Sequence, residues 1–146
     1  ETVMRMCWTH RRLYAELALT LVNEGQKQKA AEVLKYVDKH IPEYNVPISF
    51  HSGSLDEATA YAELGMNKEA THILEALVKN SEQYLTWYLN LPQKDFLGSG
   101  NDCRLHIYVF QQAIMTAEKV DSALADKLKA KFEQYYVAYQ QRGGAM

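Results

Sequence analysis

Apolar and small residues recur at helical spacing along most of this chain, and two stretches share one pattern. Ala18, Gly25, Ala30 and Leu34 return as Ala58, Gly65, Ala70 and Leu74, each pair offset by 40 residues. The order predicts a helix, a glycine stop and a second helix, with the alanines where the two helices cross closely. A first helix is expected over residues 2–24, where Met6, Leu13, Leu17 and Leu21, with the neighbouring Tyr14 and Ala18, give an apolar stripe of helical periodicity. Gly25 then takes the left-handed conformation that ends many helices. A second helix is expected over residues 26–40, burying Ala30, Val33, Leu34, Val37 and Ile41 while Lys27, Lys29, Lys35 and Lys39 face water. Pro42 cannot continue it.

Residues 42–53 read as a long connection, and Ser54 with Glu57 reads as a capping box for a third helix over residues 55–64. A fourth helix follows over residues 67–91, with a stripe of Ala70, Ile73, Leu74, Leu77, Tyr84, Leu85, Tyr88 and Leu89. Residues 92–100 read as a second loop. Ser99 or Asn101 is the expected cap of a fifth helix reaching Lys119, and Asp121 that of a sixth over residues 122–140. Leu124, Leu128, Phe132, Tyr135 and Tyr139 form the stripe of that last helix, and the residues from Arg142 onward should fray. The expected fold is therefore all-α, a single domain of three antiparallel helix pairs in a short right-handed solenoid. Its units cover about residues 2–44, 51–92 and 99–140.

Composition narrows the function classes. A length of 146 residues suits one domain, and a net charge of −2 argues against a nucleic-acid face, which usually needs a clear basic excess. One local basic cluster, Arg5, His10, Arg11 and Arg12, stands near the start. Cys7 and Cys103 are too few for a disulfide framework and are expected as free thiols, although a single bridge stays open. No run approaches the roughly 18 apolar residues of a membrane span, and no signal peptide is evident. Opening at Glu1 rather than methionine leads us to expect a domain excised from a longer protein. The compartment stays open.

The stretch from Arg11 to Tyr44 resembles a tetratricopeptide repeat. Tyr14 takes its large first-helix position, Leu17 and Ala18 its apolar–small pair, and Gly25, Ala30, Leu34, Val37 and Pro42 follow at the repeat's spacing. Residues 51–84 match less fully, because Ser54 and Glu57 replace large apolar residues and Glu82 replaces the proline. The stretch from Asn101 is degenerate, as suits a terminal cap. A narrower resemblance rests on residues 12–18, 24–34 and the 42–47 segment Pro-Glu-Tyr-Asn-Val-Pro, with the aromatic-rich segment 84–92. These look like the soluble C-terminal region of large bacterial membrane proteins whose polytopic part is similar to protein O-mannosyltransferase-type glycosyltransferases. That resemblance implies an accessory domain, with any catalytic part upstream of Glu1.

Candidate chemistry is sparse. Cys7 and His10 share a helix face, but no further ligands stand at zinc-like spacing, and His40, His51, His72 and His106 are scattered. Neither a metal nor a cofactor is expected. The Gly98-Ser99-Gly100 run lacks the lysine and third glycine of a phosphate loop and reads as a connection. Asp56, Glu57 and Glu63 cluster on the third helix, where the first-turn acids suit the helix dipole better than acid–base work. Tyr84, Trp87 and Tyr88, and Tyr135, Tyr136 and Tyr139, read as packing, with a sugar or peptide surface involving Trp8 as the alternative. No catalytic residue is expected. The partner expected is a protein or peptide segment, within the parent chain or outside it. By the tetratricopeptide resemblance, the first helix of each pair would line a groove. Arg12, Ala15, Leu19, Val22 and Asn23 would contribute from the first unit, and Leu55, Thr59, Ala62 and Glu63 from the second. Arg12 and Asn23 are the polar contacts expected there.

Overall fold

The computed structural model describes residues 2–144. It is 83% helical and contains no strand among the described residues. The helices are α1 (Thr2–Asn23), α2 (Lys27–His40), α3 (Ser54–Glu63), α4 (Asn67–Leu89), α5 (Gln93–Gly98), α6 (Gly100–Val120) and α7 (Ser122–Gln141), with a 3-10 turn at Phe50–Ser52. The chain divides into two compact units between Leu77 and Val78, inside α4.

In the first unit, α1 packs against α2, α3 and the 3-10 turn. The buried face of α1 is Arg11, Ala15, Ala18 and Val22. This corrects the stripe read from the sequence, because Met6, Leu13 and Leu17 are 56%, 53% and 45% exposed. Two apolar rows run along this helix, and periodicity alone does not choose between them. The row of small side chains wins because alanines let the neighbouring helix axes approach. Ala30, Ala58 and Ala70, the repeated small positions, are all fully buried.

The glycine stops form as expected. Gly25 has φ +78°, its N–H donates to Val22 O at 3.0 Å, and Gln26 N–H donates to Leu21 O at 2.8 Å. That pair of bonds is a Schellman motif. Gly65 repeats it, with φ +74° and bonds from Gly65 to Ala62 and from Met66 to Tyr61. The capping box is not where it was expected. Ser54 lies inside α3, and Gly53, in the left-handed conformation, precedes the helix with no side-chain cap. The box belongs to Ser49 and Ser52 of the 3-10 turn instead. Ser54 is drawn into the same serine cluster through Ser49 N–H and Ser52 Oγ, and Glu57 turns inward to Arg11.

In the second unit, α6 packs on α7. Its core includes Leu85, Phe96, Cys103, Ile107, Phe110, Leu128 and Tyr139. The expected loop at 92–100 contains a seventh helix, α5, which forms because Phe96 is buried edge-on to Tyr139. Ser99 does not cap α6 but donates back to Asp95 O at 2.9 Å. Asp121 does cap α7, accepting from Ala123 N–H at 3.0 Å. Arg142, expected to fray, is anchored. Its guanidinium donates to Leu89 O at 2.5 Å and lies 4.7 Å over the Phe96 ring. Ala145 and Met146 lie outside the described residues.

Candidate functional site

Arg11 occupies a position on α1 where the helical period otherwise places Ala15, Ala18 and Val22, so its charged head enters the core of the first unit. It is 2% exposed. Its Nη1 donates to Val46 O at 2.6 Å and its Nε to Glu57 Oε2 at 3.3 Å. Val46 belongs to the Asn-Val-Pro turn after α2 and is itself buried. Glu57 comes from the first turn of α3 and is 1% exposed. A buried pair of this kind needs its remaining polar atoms satisfied. Glu57 Oε1 has no hydrogen-bond partner among the described residues.

The pair forms one wall of a cavity of about 310 Å³. Asp38 of α2, Tyr61 of α3, and Lys68, Glu69, His72 and Ile73 of α4 line it, with Glu43 and Ile48 from the connection between α2 and α3. Tyr61 Oη donates to Asp38 Oδ2 at 2.5 Å. At the exposed rim, His72 Nε2 lies 2.7 Å from Glu43 Oε2.

The electrostatics follow from this crowding of acids. Burial pushes the Glu57 carboxyl above its ordinary value, and the charge of Asp38 and a side-chain hydrogen bond with it push the same way. Arg11 pulls it down without cancelling the rise. When Glu57 is ionised, its Oε1 faces no donor among the described residues. Tyr61 is held neutral by burial and by its bond to Asp38, so it stays a donor.

The groove residues expected from the sequence fare unevenly. Arg12 is exposed, pairs with Glu16 at 3.8 Å, and has its backbone against Gly53. Asn23 and Glu63 are exposed, and Leu19, Leu55 and Thr59 are half-buried, Thr59 bonding back to Leu55 O at 2.9 Å. Ala15 corrects the expectation. It is buried, at 1% exposed, rather than open on a groove surface. Val22 and Ala62 are buried as well.

Sequence reasoning missed the Arg11 cavity. Its signal was a charge on a stripe of small residues, Arg11 ahead of Ala15 and Ala18, and a second, Glu57, beside the repeated Ala58. Elsewhere, Cys7 and Cys103 are both free thiols, Cys103 buried with its pKa pushed up to about 11 by that burial. Tyr88 and Tyr139 pack in the second unit, while Trp87 is exposed and Tyr84 stacks on His106 at 4.4 Å. Among the described residues, no three His, Cys, Asp or Glu side chains are grouped to hold a metal ion, and no helix is long and apolar enough to cross a membrane. Neither a scan against protein-family models nor searches of curated proteins and of solved structures gave a match to this chain.

Proposed function

We propose that the chain is a non-catalytic interaction domain that holds a short protein or peptide segment, from another chain or from its own parent protein. Its helices would be arranged as a tetratricopeptide-like right-handed solenoid of three antiparallel pairs. The buried alanines at repeated positions and the two Schellman stops support that arrangement. The observation that carries the functional reading is the cavity of the first unit. Its volume of about 310 Å³ and its mix of apolar and convergent polar walls suit a side chain presented by a partner. This moves the binding place from the groove of Arg12 and Asn23 to a face built largely from α3, α4 and the connection after α2.

The test is selection of short peptides against the full chain, with each binder mapped by amide chemical shifts. Shifts clustered at Tyr61, Glu69, His72 and Ile73 are expected. Shifts clustered at Arg12, Asn23, Thr59 and Glu63 would return the site to the groove. Failure of every peptide to bind saturably would overturn the interaction reading.

A second reading, an accessory domain of a membrane glycosyltransferase-like protein, draws support from one contact. The Asn-Val-Pro turn that carries that resemblance is the turn whose Val46 carbonyl anchors Arg11. Several membrane spans encoded upstream of Glu1 would support it, and further helical repeats there would oppose it.

A further inference from the structure

We infer that the cavity of the first unit receives a cationic nitrogen, the ammonium or guanidinium at the end of a lysine or arginine side chain, between Asp38 and Glu57. The inference rests on the cavity being the place where the domain holds its partner.

The charge balance of the walls comes first. Asp38, Glu43, Glu57 and Glu69 supply carboxylates, against Arg11, Lys68 and His72. Arg11 is consumed by Glu57 Oε2, and His72 pairs with Glu43. Asp38 and Glu69 then face Lys68 alone, so the cavity is acidic. An anionic ligand would meet like charge on three helices, whereas a cation would meet its complement.

The second observation is the unused acceptor. Glu57 Oε1 is buried and without a partner. Arg11 bonds Glu57 Oε2 through Nε at 3.3 Å and Val46 O through Nη1 at 2.6 Å, and neither bond reaches Oε1. Tyr61 cannot serve it either, since its hydroxyl is committed to Asp38 Oδ2. A donor from outside would serve the atom, and a nitrogen there would stand beside Asp38, whose charge already acts on Glu57. Such charge-assisted bonds are the strong ones.

The third is the apolar part of the wall. Ile48 and Ile73 suit the methylene stem of lysine or arginine. A bare divalent ion such as calcium would want six to eight oxygen ligands and finds isoleucine there instead.

Binding of the cation favours the ionised Glu57 and so releases a proton wherever that carboxyl is protonated. Arg11 from α1, Asp38 from α2, Glu43 from the connection, Glu57 and Tyr61 from α3, and Lys68, Glu69 and His72 from α4 all face this site. Acidification protonates Glu57, whose carboxyl is raised by burial, and so weakens cation binding.

The experiment titrates the full chain with n-butylammonium, n-butylguanidinium, neutral n-butanol and calcium, followed by amide shifts and calorimetry. Capped peptides carrying one lysine, one arginine or norleucine follow. The two cations should bind saturably at the cavity, about tenfold or more tighter than n-butanol, with proton release at mildly acidic pH. A lysine or arginine peptide should bind more tightly than the free cation. Asp38→Asn, at an exposed carboxyl, should weaken the cation about tenfold while leaving the thermal melt in place. Glu57→Gln should do the same if it folds. Equal binding of n-butanol, full-affinity binding to Asp38→Asn, or preferential calcium binding would overturn the inference. Tight binding of the norleucine peptide in the cavity would overturn the cation while sparing the interaction-domain reading. A free cation that outbinds every peptide would overturn the polypeptide source.

Discussion

Arg11→Met removes the charge that Glu57 was buried against and the donor that Val46 O was given. The methionine stem fills similar space, so the deficit is mainly electrostatic. Removing one partner of a buried ion pair costs about 3–5 kcal/mol, because the other charge stays buried and uncompensated. Arg11 and Glu57 are 2% and 1% exposed, so the upper part of that range applies at neutral pH. The deficit should depend on pH with a definite sign. The Glu57 carboxyl is already raised above its ordinary 4.5, and losing Arg11 removes a cause that lowers it. The folded variant therefore takes up a proton at higher pH than the unfolded chain does. Stability linked to this group is present below 4.5 and is lost as pH rises through the folded value. Urea unfolding at pH 8 and at pH 4 should show a large loss at pH 8 and a much smaller one at pH 4. The double variant Arg11→Met/Glu57→Gln should recover much of the loss at pH 8. A single variant within about 0.5 kcal/mol of the parent chain, or an equal loss at both pH values, would refute the buried pair.

Gly53→Ala should be more damaging than alanine at Gly25 or Gly65. A Cβ there would stand 2.7 Å from the Arg12 Cα, at φ +76°. At Gly25 and Gly65 nothing lies within 4 Å, so alanine there should cost only about 1–2 kcal/mol of backbone strain; thermal melts that rank the three alike would contradict the close approach. Ala30→Leu or Ala70→Leu should cost about 1–3 kcal/mol by overpacking, and unchanged unfolding midpoints would place these methyls outside the helix crossings. Cys103, buried with a thiol pKa of about 11, should react with a thiol reagent only as fast as the chain opens. Prompt labelling of Cys103 in the native protein would show it exposed.

Legibility in the sequence was uneven for physical reasons. Helix boundaries were readable because Gly25, Gly65, Pro42 and Asp121 act locally. The buried side of α1 was not. Leu13 and Leu17 lie on one helical row, and Arg11, Ala15, Ala18 and Val22 on another, and hydrophobicity favours the wrong one. What decides is how closely another helix can approach, which is a tertiary property. The short α5 was missed for a similar reason: its six residues are held by the burial of Phe96 against Tyr139, distant in sequence. Ser54 and Glu57 fit a capping box locally, but Ser49, Ser52 and Arg11 compete for the same groups and win. The cavity has walls from three helices and a connection besides α1, so only its two anomalous charges were visible beforehand.

The most direct measurement is a carbon-detected NMR titration of the Glu57 and Asp38 carboxyl groups, in the free chain and with saturating n-butylammonium. In the free chain, Glu57 should titrate above its ordinary 4.5. With the cation bound, its apparent pKa should fall, since a positive neighbour favours the ionised form. A Glu57 that titrates at or below the ordinary carboxylate range in the free chain, or is unmoved by the cation, would contradict an acidic, donor-starved binding cavity in the first unit.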